Sequence, residues 1–284
     1  TPYSGYPQFS SPPSYAAAIK RSGVDVLVTA NNHSCDKRKK GVERTIAILD
    51  SLEIGHTGTF VSAKAKQKSP AYVIEKNNLK IALVNYTYGT NGIPPNSPNI
   101  VNYLEKKRIA QDVTDINAQI KPDQIIAFVH WGDQYKDLPN NTQKEWFDYF
   151  KSLGVNIVIG AHPHVLQPME WQSKTAVNKE SLVVYSLGNF VSHQRTFPRD
   201  GGAVLKLSLK KSDSGVQIKS VGYHLTWVHE FVVADKKYYD ILSVKDFETT
   251  PEYFSKKKDY DKLIRFSNHA RELLLEHNIN IEEY

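Results

Sequence analysis

The chain has 284 residues, of which 40% are hydrophobic and 11% aromatic, and this composition excludes a wholly disordered protein. Its formal net charge is +6, with the lysines scattered through polar segments. We interpret this excess as solvated surface, with attraction to a polyanion as the alternative. No zinc finger, RNP motif or regularly basic recognition helix is present, so we expect no nucleic-acid partner. No apolar run reaches the roughly 18 residues of a membrane span.

Short apolar runs alternate with amphipathic segments, which predicts βαβ units and a largely parallel sheet in an α/β fold. The predicted strands are residues 24–30, 80–89, 124–132, 156–164 and 182–190. Helices are predicted in residues 11–23, 40–55 and 141–154. Ser14 is the expected N-cap of the first helix, and Thr142 with Glu145 the expected capping box of the last.

The pattern changes after residue 200. Residues 203–211 and 216–228 alternate like paired antiparallel strands, joined by the turn sequence SDSG. Beyond them, polar and aromatic residues lead into a terminal helix that carries Leu263, Phe266, Leu273 and Leu274. We therefore predict a main domain over residues 1–230 and a helical C-terminal appendage over 231–284, packed on the main domain.

Four of the predicted strands end in residues of the kind that bind ligands. In parallel α/β sheets the carboxyl ends of the strands lie along one edge, where such folds place their ligands. We therefore expect the side chains at these ends to converge. The four endings are Asn31-Asn32-His33, His130-Trp131-Gly132, Gly160-Ala161-His162-Pro163-His164 and Gly188-Asn189.

His162 and His164 are the most informative of these residues. In an extended backbone, residues i and i+2 point to the same side, so both imidazoles could face one metal ion or phosphate. The other candidates have an ordinary alternative each: a single histidine after a strand is often a hydrogen-bonded loop residue, and Asn31-Asn32 could form a turn. We interpret the remaining six histidines as ordinary residues and Cys35 as a small buried one.

Five segments, in this order, resemble one known family. They are VLVTANNHSCD (26–36), NYTYGTNG (85–92), HWGDQY (130–135), GAHPHVLQPME (160–170) and YSLGNFVS (185–192). The chain is similar, over residues 1 to about 228, to the CapA family of poly-γ-glutamate capsule biosynthesis proteins. The resemblance implies a calcineurin-like metallophosphoesterase fold, which is a two-sheet sandwich flanked by helices (α-β-β-α).

The resemblance also implies a site. By motif, the metal ligands would be Asn32, His130, His162 and His164, and the catalytic residues would be His33 and His164. Asn31, Trp131 and Asn189 would contact the substrate. The cofactors would be divalent metal ions, with manganese, zinc, iron and magnesium not distinguished.

The sequence departs from the family at its beginning. The family has a first strand ending in Gly-Asp and a later Asn-Leu-Glu element, both upstream of residues equivalent to 2–9, and neither is present. The ligands left are neutral, so we expect one weakly held metal ion, or none. Asp36, Asp133 and Glu170 could substitute for the absent carboxylates, and we interpret each as a surface or supporting group.

The start of the chain bears on where the protein works. The chain opens at Thr1 and its single methionine is Met169. We expect a preceding segment that anchors an extracytoplasmic protein in the membrane, and no membrane span within the chain itself.

Three functional hypotheses follow from the resemblance. The first is a role in poly-γ-glutamate capsule synthesis or export, with a metallophosphoesterase-like site. The second is a metal-dependent phosphoesterase or other hydrolase unrelated to capsule. The third is a non-catalytic component of a surface assembly that binds an anionic polymer. The expected partners are an anionic polymer or phosphoester substrate and membrane-bound capsule synthesis subunits, and catalysis itself stays open.

Overall fold

The computed structural model describes residues 3–175, 179–212 and 215–284. The chain divides into two compact units, the first formed by Thr1–His130 with Ser152–Val155 and the second by Trp131–Lys151 with Asn156–Tyr284. Each unit contains strands and helices, so the predicted α/β class is confirmed. No helix among the described residues is long and apolar enough to span a bilayer.

The first unit holds four helices and seven strands among its described residues. In chain order they are α1 (Pro13–Arg21), β1 (Val26–Val28), α2 (Arg38–Ser51), β2 (Gly55–Thr57), β3 (Thr59–Phe60), α3 (Ala63–Lys68), β4 (Tyr72–Lys76), β5 (Leu79–Thr87), β6 (Ile100–Val101), α4 (Lys106–Gln119) and β7 (Gln124–His130).

Strand β5 organises the first unit. It pairs in parallel with β7 and antiparallel with β4, and the register puts Thr87 opposite His130. A second, small parallel sheet joins β1 to β2, and β3 pairs with β6. Beneath the loop after β1, a buried apolar cluster contains Cys35, which confirms its reading as a small buried residue.

The second unit holds the remaining elements. They are α5 (Asn141–Ser152), β8 (Ile157–Ala161), β9 (Leu166–Gln172), β10 (Ser181–Leu187), β11 (Gly201–Ser212), β12 (Gly215–Val233), β13 (Lys236–Ser243), α6 (Val244–Phe247), a short 3-10 helix (Pro251–Tyr253), α7 (Lys257–His277) and β14 (Glu282–Glu283).

Two groups of strands form the sheets of the second unit. Strand β10 pairs in parallel with β8 and antiparallel with β9, a strand that the apolar pattern does not predict. Strand β12 pairs with β11 and β13, both antiparallel, so the predicted hairpin is confirmed. Its turn includes residues 213 and 214, which lie outside the described residues. The boundary predicted after residue 230 falls inside β12 and stays a prediction.

Two helix starts differ from the sequence prediction. Helix α1 begins at Pro13, one residue before the predicted cap Ser14, because proline suits the first helical position, where its missing N–H costs no hydrogen bond. Before α5, Asn140 Oδ1 accepts a hydrogen bond from Gln143 N at 2.9 Å. Gln143 Oε1 accepts one from Asn140 N at 3.0 Å. The capping box therefore lies two residues earlier than predicted.

Candidate functional site

The loop after β1 is held by its own polar side chains. Asn31 Oδ1 accepts a hydrogen bond from the backbone N–H of His33 at 2.7 Å, which forms an Asx turn. Ser34 Oγ accepts one from Asn31 N at 2.8 Å and lies 2.8 Å from the carbonyl oxygen of Thr29. Asn31 therefore shapes the loop, and the next two side chains, Asn32 and His33, are presented by it.

Asn32 and His130 meet although they are far apart in the sequence. Asn32 is 6% exposed, and its Oδ1 lies 2.9 Å from Nε2 of His130 at the end of β7. Asn32 Nδ2 donates to Asn91 Oδ1 at 3.3 Å, which fixes the amide with its oxygen toward the imidazole. The ring of Tyr88 stacks on His130, with centroids 6.2 Å apart. Because an amide oxygen only accepts, Nε2 of His130 donates this bond.

A buried asparagine that the sequence analysis did not single out links the segment before Asn32 to the strand that ends at His130. Asn85, in β5, is 1% exposed. Its Oδ1 accepts from Ala30 N at 2.6 Å, and its Nδ2 donates to the carbonyl of Phe128 at 3.2 Å. Asn85 thus ties the chain just before Asn32 to the strand that ends at His130. The signal for it is an amide inside the otherwise apolar buried run of β5.

His33 is oriented by a carboxylate. Its Nδ1 lies 2.8 Å from Oδ2 of Asp36, and the same oxygen accepts from the backbone N–H of Phe9 at 2.8 Å. Asp36 is 5% exposed, and the ring of Phe9 meets His33 edge to face at 4.7 Å. A carboxylate that accepts from Nδ1–H leaves Nε2 on the opposite side of the ring for proton transfer. Asp36 therefore supports His33.

In the second unit, His162 and His164 flank Pro163 in a backbone that is not extended. His162 has φ +111° and His164 has φ +63°, so the argument from an extended strand is wrong for this pair. The two rings nevertheless lie 6.0 Å apart. The φ of His162 lies outside the left-handed helical region, so this residue is held in a sparsely populated conformation that costs about 1–3 kcal/mol.

His164 is oriented by an amide. Its Nδ1 lies 3.1 Å from Oδ1 of Asn189, whose Nδ2 donates to the carbonyl of Arg199 at 2.8 Å. Tyr135 stacks on His164 with centroids 5.9 Å apart, and the Arg199 guanidinium lies 4.4 Å from the Tyr135 ring centroid. Asn189 therefore positions His164, much as Asp36 positions His33. The sequence analysis did not single out Tyr135 or Arg199.

Other candidates are placed differently. Trp131 is 1% exposed and its Nε1 donates to the carbonyl of Tyr185 at 2.9 Å, so it has almost no surface to offer a substrate. Asp133 is exposed and accepts from Asn140 Nδ2 at 2.8 Å. Burial raises the pKa of the Glu170 carboxyl.

An amide oxygen and an imidazole nitrogen are both donors that divalent cations accept, and Asn32 and His130 bring one of each together. Their 2.9 Å separation is that of the hydrogen bond which His130 Nε2 donates, so the two atoms can bind one ion only after Nε2 loses this proton. Among the described residues, no group of three or more His, Cys, Asp or Glu side chains is placed to hold a metal ion. The roles predicted for His162 and His164 stay predictions.

Comparisons with known proteins point to one family. The family described as "Bacterial capsule synthesis protein PGA_cap" matches residues 1–194. The chain is 28% identical over 207 residues to "PGA biosynthesis protein CapA" of Bacillus subtilis, covering 69% of this chain and 50% of the relative. It is 28% identical over 214 residues to "Capsule biosynthesis protein CapA" of Bacillus anthracis, covering 72% and 48%.

The length of each match determines which conclusions it supports. The chain spans about half the length of the two CapA relatives. A shorter match, 28% identical over 95 residues to "ATPase GET3" of Chaetomium globosum, covers 33% of this chain and 28% of that protein, and carries no argument. The family match covers well over half of the chain. This protein therefore belongs to the CapA family of bacterial capsule synthesis proteins.

Proposed function

We propose that this chain is the metallophosphoesterase-type component of a system that makes or exports capsule polymer outside the cytoplasm. Membership of a capsule synthesis family supports the biological setting. The observation that carries the chemistry is the approach of Asn32 Oδ1 and His130 Nε2 to 2.9 Å in the first unit. This function accounts both for the family of the chain and for a pair of side chains of the types that bind divalent cations.

The residues of the first unit have separate roles in this proposal. Asn32 and His130 would hold the cation once Nε2 of His130 has lost the proton of its hydrogen bond, and Asn85 keeps the two residues in register through its bonds to Ala30 and Phe128. When bound, a divalent cation polarises a phosphoryl or carbonyl oxygen and lowers the pKa of a water molecule. His33 carries a proton on Nε2 to the leaving group, because Asp36 holds Nδ1 and balances the charge of the imidazolium.

The proposal is tested by metal binding and hydrolysis together. Calorimetric titration with Mn²⁺ and turnover of bis(p-nitrophenyl) phosphate are measured on the wild-type chain, on His130→Ala and on His56→Ala. His56 is the matched control, because it is a histidine of the same unit whose Nε2 contacts Asp50 at 3.0 Å, away from Asn32.

We expect His130→Ala to lose Mn²⁺ binding and to lower turnover by about 100-fold or more. General acid–base catalysis and electrostatic stabilisation of the transition state each contribute rate factors of that size. His56→Ala should retain both. A wild-type chain without Mn²⁺-dependent turnover, or equal losses in the two variants, would contradict the proposal. Protease accessibility of the natural full-length protein on intact cells tests the location, and protection from protease would contradict it.

A further inference from the structure

A basic groove lies in the second unit, and none of the residues assigned a role above is among those that line it. It has a volume of about 570 Å³ and is bounded by the segment around Arg195, by the end of β12 and by the start of α7. Nearly all of its lining lies beyond residue 194, where the family match ends. The groove therefore needs an explanation that the family does not supply.

The charge of the groove is strongly unbalanced. Of the described residues that line it, five carry a positive charge and two a negative charge. The carboxylates are already paired, since Glu230 bonds Lys237 at 3.0 Å and Asp259 lies 3.1 Å from Lys262. Lys237 and Lys262 are the partners in these two pairs, so Lys256 and Lys258 are the lysines of the lining without a carboxylate among the described residues. The five cationic residues are Arg195, Lys237, Lys256, Lys258 and Lys262.

The start of α7 adds to this positive field. The helix is 21 residues long, and its N-cap Lys256 makes no side-chain capping hydrogen bond. The helix dipole attracts anions at this end, so the lysines there are electrostatically unfavourable and Asp259 of the first turn offsets part of their charge. Neither Lys256 nor Lys258 forms an ion pair with any described residue.

His229 provides an independent sign of a ligand. It lines the groove, is 6% exposed, and its Nδ1 has no hydrogen-bond partner among the described residues. Buried polar atoms without a partner are rare in folded proteins, so this one calls for an explanation. Burial lowers the pKa of His229, and the charged groups that act on it are Asp259, Asp240, Arg195 and Lys262.

The lining also has an apolar part. Val232 and Val233 are 57% and 53% exposed at the end of β12, next to Phe231. Phe231 is the one phenyl ring among the described lining residues, so the groove lacks the rows of ring faces on which nucleic acids stack. Cations beside an exposed aliphatic surface suit a polymeric ligand whose carboxylates are separated by methylene groups.

We propose that the basic groove binds the capsule polymer as a linear polycarboxylate. The carboxylates contact Lys256, Lys258 and the first turn of α7, and the aliphatic segments of the polymer lie on Val232 and Val233. The identity of the polymer rests on the proposed role in capsule synthesis, and the groove would then hold the polymer rather than cleave it.

The test measures binding directly. Fluorescence anisotropy of labelled poly-γ-glutamate is recorded for the wild-type chain, for Lys256→Gln/Lys258→Gln and for Lys106→Gln/Lys107→Gln. The second double variant is the matched control, because it removes two lysines from the first turn of another helix, α4, which also lacks a side-chain cap. Free glutamate and a single-stranded oligonucleotide serve as competitors.

We expect the groove variant to weaken polymer binding about tenfold and the control by less than about twofold, with affinity falling as NaCl rises from about 50 to about 300 mM. Equal losses in both variants, or competition by the oligonucleotide as strong as by unlabelled polymer, would overturn the inference. A chain that binds polymer without hydrolysing a phosphodiester contradicts the proposed function alone. A chain that hydrolyses and does not bind contradicts this inference alone.

Discussion

Asp36→Asn tests the support of His33 with a single-atom change. In the wild type, Oδ2 of Asp36 accepts two hydrogen bonds, from His33 Nδ1 and from Phe9 N, both at 2.8 Å. An asparagine keeps an acceptor there, but the acceptor is neutral, and its NH₂ group takes the position of Oδ1. No described residue hydrogen-bonds Oδ1 of Asp36 in the wild type.

The magnitude follows from these contacts. Hydrogen bonds to a charged group contribute about 1.5–3 kcal/mol and neutral ones about 0.5–1.5 kcal/mol, so the weakening of two such bonds should cost about 1–3 kcal/mol of unfolding free energy. The imidazolium of His33 also loses its compensating charge. Turnover should therefore fall by about 10- to 100-fold, part of what a general acid contributes.

Guanidinium denaturation followed by tryptophan fluorescence gives the free energy of unfolding, and Mn²⁺-dependent phosphodiester hydrolysis gives the turnover. Asp50→Asn is the matched control, because Asp50 Oδ1 also contacts a histidine, His56, at 3.0 Å, but its side chain is 66% exposed. The control should change stability by less than about 0.5 kcal/mol. The same small change in both variants, with turnover intact, would refute the role of Asp36.

Three further predictions concern stability. Gly58→Ala should lower the unfolding free energy by about 2–5 kcal/mol and Gly23→Ala by about 1–2 kcal/mol. Both glycines have positive φ, but of the two only Gly58 has no room for a Cβ. Equal losses of unfolding free energy, measured by denaturation, would contradict this prediction. Asn140→Ala should lower the unfolding free energy by about 0.5–2 kcal/mol because it removes the capping hydrogen bond, and Thr142→Ala should lower it by less than about 0.5 kcal/mol. If thermal melting ranked the two variants in the opposite order, Thr142 would be the cap after all. Burial lowers the pKa of His229 in the folded state, so the neutral imidazole stabilises the fold above its ordinary pKa of about 6.5. This stabilisation is lost as the pH falls through the folded pKa, and the unfolding free energy then drops by at most about 1.4 kcal/mol per pH unit. His229→Phe should flatten that part of the stability curve, and parallel curves would contradict the assignment.

The approach of Asn32 to His130 illustrates what the sequence can predict. Apolar β-branched runs that stop at polar residues define strand ends, and parallel pairing brings strand ends to one edge. Strands β5 and β7 are parallel, and the loop after β1 reaches the end of β7. The convergence of these two side chains therefore follows from a local pattern and a general rule of topology.

Other features depend on contacts that no local pattern contains. The role of Asn85 requires partners 55 and 43 positions away, and its sequence context shows only an amide in an apolar strand. The prediction of Thr142 as the α5 cap was wrong because Asn140, two residues earlier, is an equally good capping residue and has Gln143 three positions on. The φ of +111° at His162 lies outside the left-handed helical region that histidine tolerates, so this conformation depends on the surrounding fold.

The lysine at the N-cap of α7 has a consequence for engineering. Serine or aspartate in place of Lys256 would give the helix the cap that it lacks, and caps of this kind add about 0.5–2 kcal/mol. The same change would remove a cation from the basic groove. Selection of this protein for thermostability would therefore favour variants that lack a cation of the proposed polymer site, so a library should be screened for stability and for polymer binding.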